Sequence, residues 1–232
     1  MILLHWISAL FFPPKCIFCR TLLSKDETDL CHSCRKKTTE CKPSKNNIPF
    51  VAGWTGIWYY TEGVRNSILR YKFYNARSYA PIYGRFLAMK LQKEFPDGFD
   101  MLTWVPISTF RKLRRGYDQV ALLAKYVGQE LGVTPIPLIK KVRHTPPQST
   151  LKTASERRAN ILGAYRAIAP ADIAGKRILL LDDILTTGAT ASECAKVLLT
   201  AGAEKVYFAA IAVANHDKKK QLEGDANATI LQ

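Results

Sequence analysis

With 232 residues, of which 47% are hydrophobic, the chain has the apolar content of a globular protein, which excludes a disordered polypeptide and fits one ordinary domain plus a small accessory module. The net charge of +15 points to polyanionic partners. It is unevenly placed: residues 104–166 hold twelve Lys or Arg against three acids (Asp118, Glu130 and Glu156). A small anionic substrate needs only a few of these cations. The surplus favours nucleic acid, with a solvated basic surface as the alternative.

The first twelve residues, Met1 to Phe12, are apolar but carry no positively charged start and no clear cleavage site, and they are too short to span a bilayer as a helix. The expectation is a helix docked on the protein's own surface, no stable membrane insertion, and a cytoplasmic location. After Pro13-Pro14 come Cys16-x-x-Cys19 and Cys31-x-x-Cys34, separated by eleven residues. Two such pairs suit the knuckles of a tetrahedral four-cysteine zinc site, in which each pair turns both thiolates toward one metal. A module of this size buries too little apolar surface to fold alone, so a structural Zn2+ would supply its stability. Two disulfides are the alternative, disfavoured in a reducing compartment. His32 and Cys41 are expected to be bystanders and Cys194 a core residue. Residues 36–49 read as a polar, proline-broken linker, which sets a boundary between a module at 1–46 and a domain at 47–232.

Val51 to Tyr60 reads as a strand, bent at Gly53 or Gly56, followed by helical stretches over 62–71 and 78–94. Between the helices, Lys72 is flanked by Tyr71, Phe73 and Tyr74. Such a lysine could touch a phosphate, although helix-end packing is the commoner use of such a cluster. Met101 to Pro106 reads as a buried strand, and 107–119 as a cationic loop leading into a helix with Val120, Leu123, Ala124, Val127 and Leu131 on one face. Arginine's planar fork suits phosphate oxygens, which makes Arg111, Arg114 and Arg115 candidate anion ligands. Ile136 to Val142 reads as a strand, and the polar, Pro-bearing segment after it as a long functional or mobile loop. His144 within that loop reads as solvated, with a general acid or base role as the alternative. Val206 to Ala214 reads as the last strand, and the tail from Asn215 as frayed.

The most informative stretch is 178–190. Ile178 to Leu181 reads as a strand buried on both faces of a parallel sheet, followed by Asp182 and Asp183 and then by Thr186, Thr187, Gly188, Ala189 and Thr190. A helix starts there, with Ala191, Cys194, Ala195 and Leu198 on its apolar face. Free amides at a helix N-terminus and threonine hydroxyls form an anion site, and Gly188 permits close approach. Carboxylates repel phosphate, so Asp182 and Asp183 are assigned to ribose hydroxyls and a hydrated Mg2+. No Walker-type G-x-x-x-x-G-K-[ST] occurs in the chain.

Residues 178–190 resemble the phosphoribosyl-diphosphate (PRPP) motif of type I phosphoribosyltransferases. The resemblance implies a parallel-sheet α/β fold, with Thr186 to Thr190 on the 5-phosphate and Asp182 with Asp183 on the ribose 2′- and 3′-hydroxyls. It places Ile107, Ser108, Arg111, Arg114 and Arg115 on the pyrophosphate, and makes the 143–160 segment a hood that closes over PRPP. The order of four-cysteine module, Arg115-Gly116-Tyr117-Asp118-Gln119, the stretch Arg143 to Leu151, and the 178–190 motif further resembles the ComF family, which pairs a zinc module with a phosphoribosyltransferase-like domain and includes competence proteins for DNA uptake. That resemblance adds Gly116, Gln119, Thr145, Gln148, Arg158 and Asn160 to the motif residues. It implies a PRPP-binding protein acting in natural transformation, with single-stranded DNA and competence-machinery components as partners. Trp54, Trp58, Tyr59 and Tyr60 are candidate base-stacking groups. The alternative is an active transferase moving phosphoribose from PRPP to an unidentified nitrogen acceptor.

Overall fold

The computed structural model describes residues 13–42, 47–143, 145–146, 153–168 and 170–214. The expected N-terminal helix, His144, Gln148 and the tail from 215 lie outside the described residues. In chain order the elements are α1 (His32–Lys37), β1 (Gly53–Tyr59), α2 (Glu62–Phe73), α3 (Tyr79–Glu94), β2 (Met101–Trp104), α4 (Thr109–Arg115), α5 (Gln119–Leu131), β3 (Ile139–Lys141), α6 (Ala154–Ile161), β4 (Tyr165–Ala167), α7 (Pro170–Ile173), β5 (Arg177–Leu185), α8 (Ala189–Thr200) and β6 (Lys205–Val213).

The Leu-rich run forms the middle of β5, and its alternation divides the protein into two cores. Leu179 and Leu181 face one, Ile178 and Leu180 the other. This is the pattern expected of a strand covered on both sides. The sheet is parallel, in the order β1-β6-β5-β2. Helices α2, α3 and α5 cover the first face through residues such as Ile68, Tyr83, Leu87, Leu123 and Val127. Helix α8 covers the second with Ala191, Cys194, Ala195 and Leu198, the four positions its periodicity marked. The expected strand at 136–142 is shorter. It pairs antiparallel with β4 in a separate two-stranded ribbon rather than joining the main sheet.

Where α3 crosses α5, a Cβ added at Gly84 would lie 2.6 Å from Tyr126 Cβ and 3.0 Å from its carbonyl carbon. Backbone cannot yield as a flexible side chain does. Gly84→Ala is therefore expected to cost about 1–3 kcal/mol and to lower the Tm by several degrees, measured by calorimetry. An unchanged Tm would mean that the two helices are not in this close contact.

The polar stretch expected to link the cysteine module to the domain is tied to the sheet. Glu40 bridges Trp58, the Cys41 N–H donates to the Ile57 carbonyl at 2.9 Å, and the Tyr59 N–H donates to the Thr39 carbonyl at 3.1 Å. This pairing covers part of the open edge of β1, which would otherwise leave backbone groups unpaired. Cys41 and Ile48 are buried in the second core. Ile17 and Phe18 of the cysteine module enter the first core, where Phe18 meets Trp58 edge-on at 5.1 Å. Trp58 also packs against Tyr83 and Phe86 and is only 4% exposed, so it does not serve as a base-stacking platform. Arg70 of α2 donates from Nη2 to the carbonyls of Ile17 and Phe18, both at 2.7 Å, and so fastens the first knuckle to that helix.

Candidate functional site

The site is built where β5 outruns its neighbour. Strand β2 pairs with β5 as far as Trp104 opposite Leu181, and Val105 adds one further hydrogen bond to Leu181. Strand β5 continues beside β6 to Leu185. Asp182 and Asp183 were expected to follow the strand; they lie within it, on the stretch β2 has left. With no strand partner on that side among the described residues, the Asp183 N–H turns to the Asp182 carboxylate at 2.8 Å. The overhang opens onto a cavity of about 610 Å3.

One wall of the cavity is the turn into α8. Gly188 stands at φ +74°, in the left-handed region that a Cβ would strain, and its carbonyl accepts the Ser192 N–H at 2.8 Å to start the helix. Thr186 and Thr190 line the cavity, whereas Thr187 directs its hydroxyl to the Ala189 N–H within the turn. Another wall is α4, which lies inside the stretch expected to be a loop. Ser108 caps it by accepting the Arg111 N–H at 3.4 Å, and Gly116 ends it in the left-handed conformation. Ile107, Arg111, Arg114 and Arg115 line the cavity, and Ser108 serves it indirectly as the cap. Burial lowers the pKa of Arg115, which stacks 4.8 Å over Phe73, and its Nε has no hydrogen-bond partner among the described residues. Such a buried donor is ready for an anion.

Thr145 and Arg157, from the segment expected to form a hood, line the same cavity. Thr145 is held from both sides: Arg111 Nη2 donates to its carbonyl at 3.2 Å and Lys141 Nζ to its hydroxyl at 2.8 Å. Asn160 donates to the Pro146 carbonyl at 3.2 Å, and α6 begins with a capping box formed by Thr153 and Glu156.

The carboxylates differ in surroundings. Burial, then the charge of Asp183, raises Asp182 above the ordinary carboxylate range. Asp183 is 7% exposed; it meets Lys72 Nζ at 2.8 Å and accepts from Gln119 Nε2 at 2.9 Å. Gln119 is in turn fixed by Tyr71, whose hydroxyl donates to the Gln119 carbonyl at 2.6 Å. Two cationic wall residues, Lys141 and Arg157, were given no role from the sequence, and Lys72 was weighed as a phosphate contact against helix-end packing. Lys141 carried a usable signal: in β3 it shares a face with buried Ile139. Burial pushes its pKa down to about 8, and the neighbouring Arg111 acts in the same direction. The oxygen donors of Asp182, Asp183, Thr186 and Thr190 have the hard chemistry that Mg2+ requires.

The second candidate site is the cysteine cluster. The sulfurs of Cys16, Cys19, Cys31 and Cys34 lie within 4.8 Å of one another, and those of Cys19 and Cys31 are 3.6 Å apart. Four thiolates around a metal at about 2.3 Å stand about 3.8 Å from each other, so the cluster fits a tetrahedral ion. All six cysteines are free thiols, which does not favour a disulfide pairing. The Cys34 N–H donates to Cys31 Sγ at 3.4 Å. His32 stays outside the cluster, with Nδ1 2.9 Å from Glu27, and Cys41 is buried elsewhere.

Two relatives are similar to this chain over most of its length. Competence protein F of Haemophilus influenzae is 28% identical over 222 residues, covering 84% of this chain and 95% of that protein. Competence protein ComFC of Streptococcus pneumoniae is 29% identical over 195 residues, covering 82% and 84%. Among solved structures, the glutamine PRPP amidotransferase of B. subtilis matches at 19% identity with a TM-score of 0.40, over 60% of this chain; the chain spans 30% of that structure's length. No described helix is long and apolar enough to cross a membrane. The family profile described as Phosphoribosyl transferase domain matches residues 113–230, just over half of the chain. With a parallel α/β sheet, a cysteine cluster fit for a metal and homologues named for competence, the chain belongs to the phosphoribosyl transferase domain family.

Proposed function

We propose that this is a ComF-type, PRPP-binding protein acting in DNA uptake. The observation that carries the reading is that one cavity gathers the acidic pair, the threonines at the start of α8 and the arginines of α4. In that arrangement Thr186 and Thr190, with the amides of the turn through Thr187, Gly188 and Ala189, hold the 5-phosphate. Asp182 and Asp183 hold the ribose hydroxyls, and Ile107 with Arg111, Arg114 and Arg115 grip the pyrophosphate. Mg2+ would neutralise part of the diphosphate charge beside Asp182 and Asp183. Zn2+ is the metal we assign to the four cysteines, in a structural role. Calorimetry with PRPP and Mg2+ tests the assignment: saturable binding supports it, and no heat at millimolar ligand removes it.

The relatives named for competence support a role in DNA uptake, and the charge distribution supports contact with single-stranded DNA in the cytoplasm. Exposed residues in the cavity lining and close to it in sequence have the composition for it. Phe73, Tyr74, Phe110 and Leu113 are 49–77% exposed beside Lys112, Arg114 and Arg77, a mixture suited to base stacking and phosphate contact. Binding through about three phosphates gives a log–log salt slope near −2 for a single strand. Tyr74→Ala is expected to weaken binding about tenfold at fixed salt, measured by fluorescence anisotropy. A flat salt dependence would remove this partner.

One observation favours catalytic turnover as a second reading. Tyr60, Ile68, Leu69 and Ile184 give the cavity an apolar side that a sugar phosphate does not use. A planar nitrogen acceptor could occupy it and attack the ribose, with pyrophosphate leaving toward the arginines. Pyrophosphate release in the presence of candidate bases separates this from binding alone.

A further inference from the structure

Lys72 is a cation to which the PRPP reading gives no task, and it is the one that meets the acidic pair. Its side chain is 16% exposed, that of Asp183 is 10% exposed, and the two groups meet at 2.8 Å. A buried carboxylate without a counter-charge is costly, and Asp183 has a second carboxylate next to it in sequence. Lys72 therefore supplies the counter-charge and holds Asp183 in place before any ligand arrives, while Gln119 fixes its other oxygen at 2.9 Å.

That arrangement conflicts with ligand binding as it stands. A divalent cation on Asp183 competes with the ammonium, because two cations on one carboxylate repel. Lys72 then needs another anion. Among the described cavity residues the only acids are Asp182 and Asp183; the remaining charged wall is cationic, with Arg111, Arg114, Arg115, Arg157 and Lys141. The anion must come with the ligand.

We propose that Lys72 is a built-in counter-cation: it holds Asp183 in the unliganded site and passes to the ligand's diphosphate when metal and sugar take its place. It is a ligand-contacting residue contributed by α2, a helix outside both motif loops. The inference rests on the PRPP reading for the identity of the anion. No covalent step is involved; one ion pair is exchanged for another.

The test exploits two effects of opposite sign, read on the full chain. In Lys72→Met the competitor for Asp183 is gone, so Mn2+ alone, followed by electron paramagnetic resonance, is expected to bind about tenfold more tightly than in the wild type. In the same variant Mg2+·PRPP, followed by calorimetry, is expected to bind at least tenfold more weakly. Lys72→Arg should restore most of the PRPP affinity. Weaker or unchanged Mn2+ binding in Lys72→Met overturns the counter-cation role, and unchanged PRPP affinity overturns the transfer to the ligand. If the wild type itself does not bind Mg2+·PRPP, the functional reading fails and the transfer with it, while the Mn2+ comparison still decides the role of Lys72 in the free site. A thermal melt separates these outcomes from misfolding.

Discussion

Asp183→Ala is expected to lower the affinity for Mg2+·PRPP by at least about 100-fold, close to 2.7 kcal/mol. The carboxylate is held at one point by Lys72 and Gln119, so its loss removes a preorganised ligand for metal or sugar rather than a mobile surface charge. Asp183→Asn keeps the shape and the Gln119 contact but not the charge, and should bind almost as poorly. Calorimetry against PRPP with saturating Mg2+ is the measurement. Unchanged affinity in both variants would refute the assignment of the ribose site.

The second large effect concerns the cysteine cluster. Metal analysis should find one zinc per chain, and chelation should lower the Tm by more than about 10 °C, since structural zinc contributes on the order of 10 kcal/mol to a small module's folding. The loss should spread beyond the module because Ile17 and Phe18 lie in the first core and Phe18 packs on Trp58. Chelation is therefore expected to shift Trp emission to the red as the ring is uncovered. Cys31→Ser should reproduce the change without a chelator. Absence of zinc, with all four thiols readily alkylated in the native protein, would remove the metal assignment.

Much of this was legible in the sequence because the informative features are local. The Leu-rich strand, the Gly188 turn and the apolar face of α8 follow from periodicity and backbone chemistry within thirteen consecutive residues and the helix after them. The two C-x-x-C pairs declare their geometry through spacing alone. Arg111, Arg114 and Arg115 were identifiable by residue type, but not the short helix that aims them, although Ser108 and Gly116 are ordinary cap residues. What could not be read were contacts between distant parts of the chain. Lys72 and Asp183 are brought together by packing α2 over the end of β5, and no spacing encodes that. The pairing of residues 39–41 with β1 was hidden because a polar, Pro-broken stretch looks like a linker whether or not it satisfies a sheet edge. Trp58 looked available for stacking because composition does not tell an inner aromatic from an outer one.

Arg70, Tyr71 and Lys72 are consecutive, and each reaches a different part of the molecule: the knuckle carbonyls, the main chain of α5 and the Asp183 carboxylate. One turn of helix is thus a common hub for the thiol cluster and the cavity. Because such coupling is reciprocal, whatever steadies one end of that hub steadies the other. The small N-terminal module is then a brace for the ligand's end of α2 as well as an appendage to the domain.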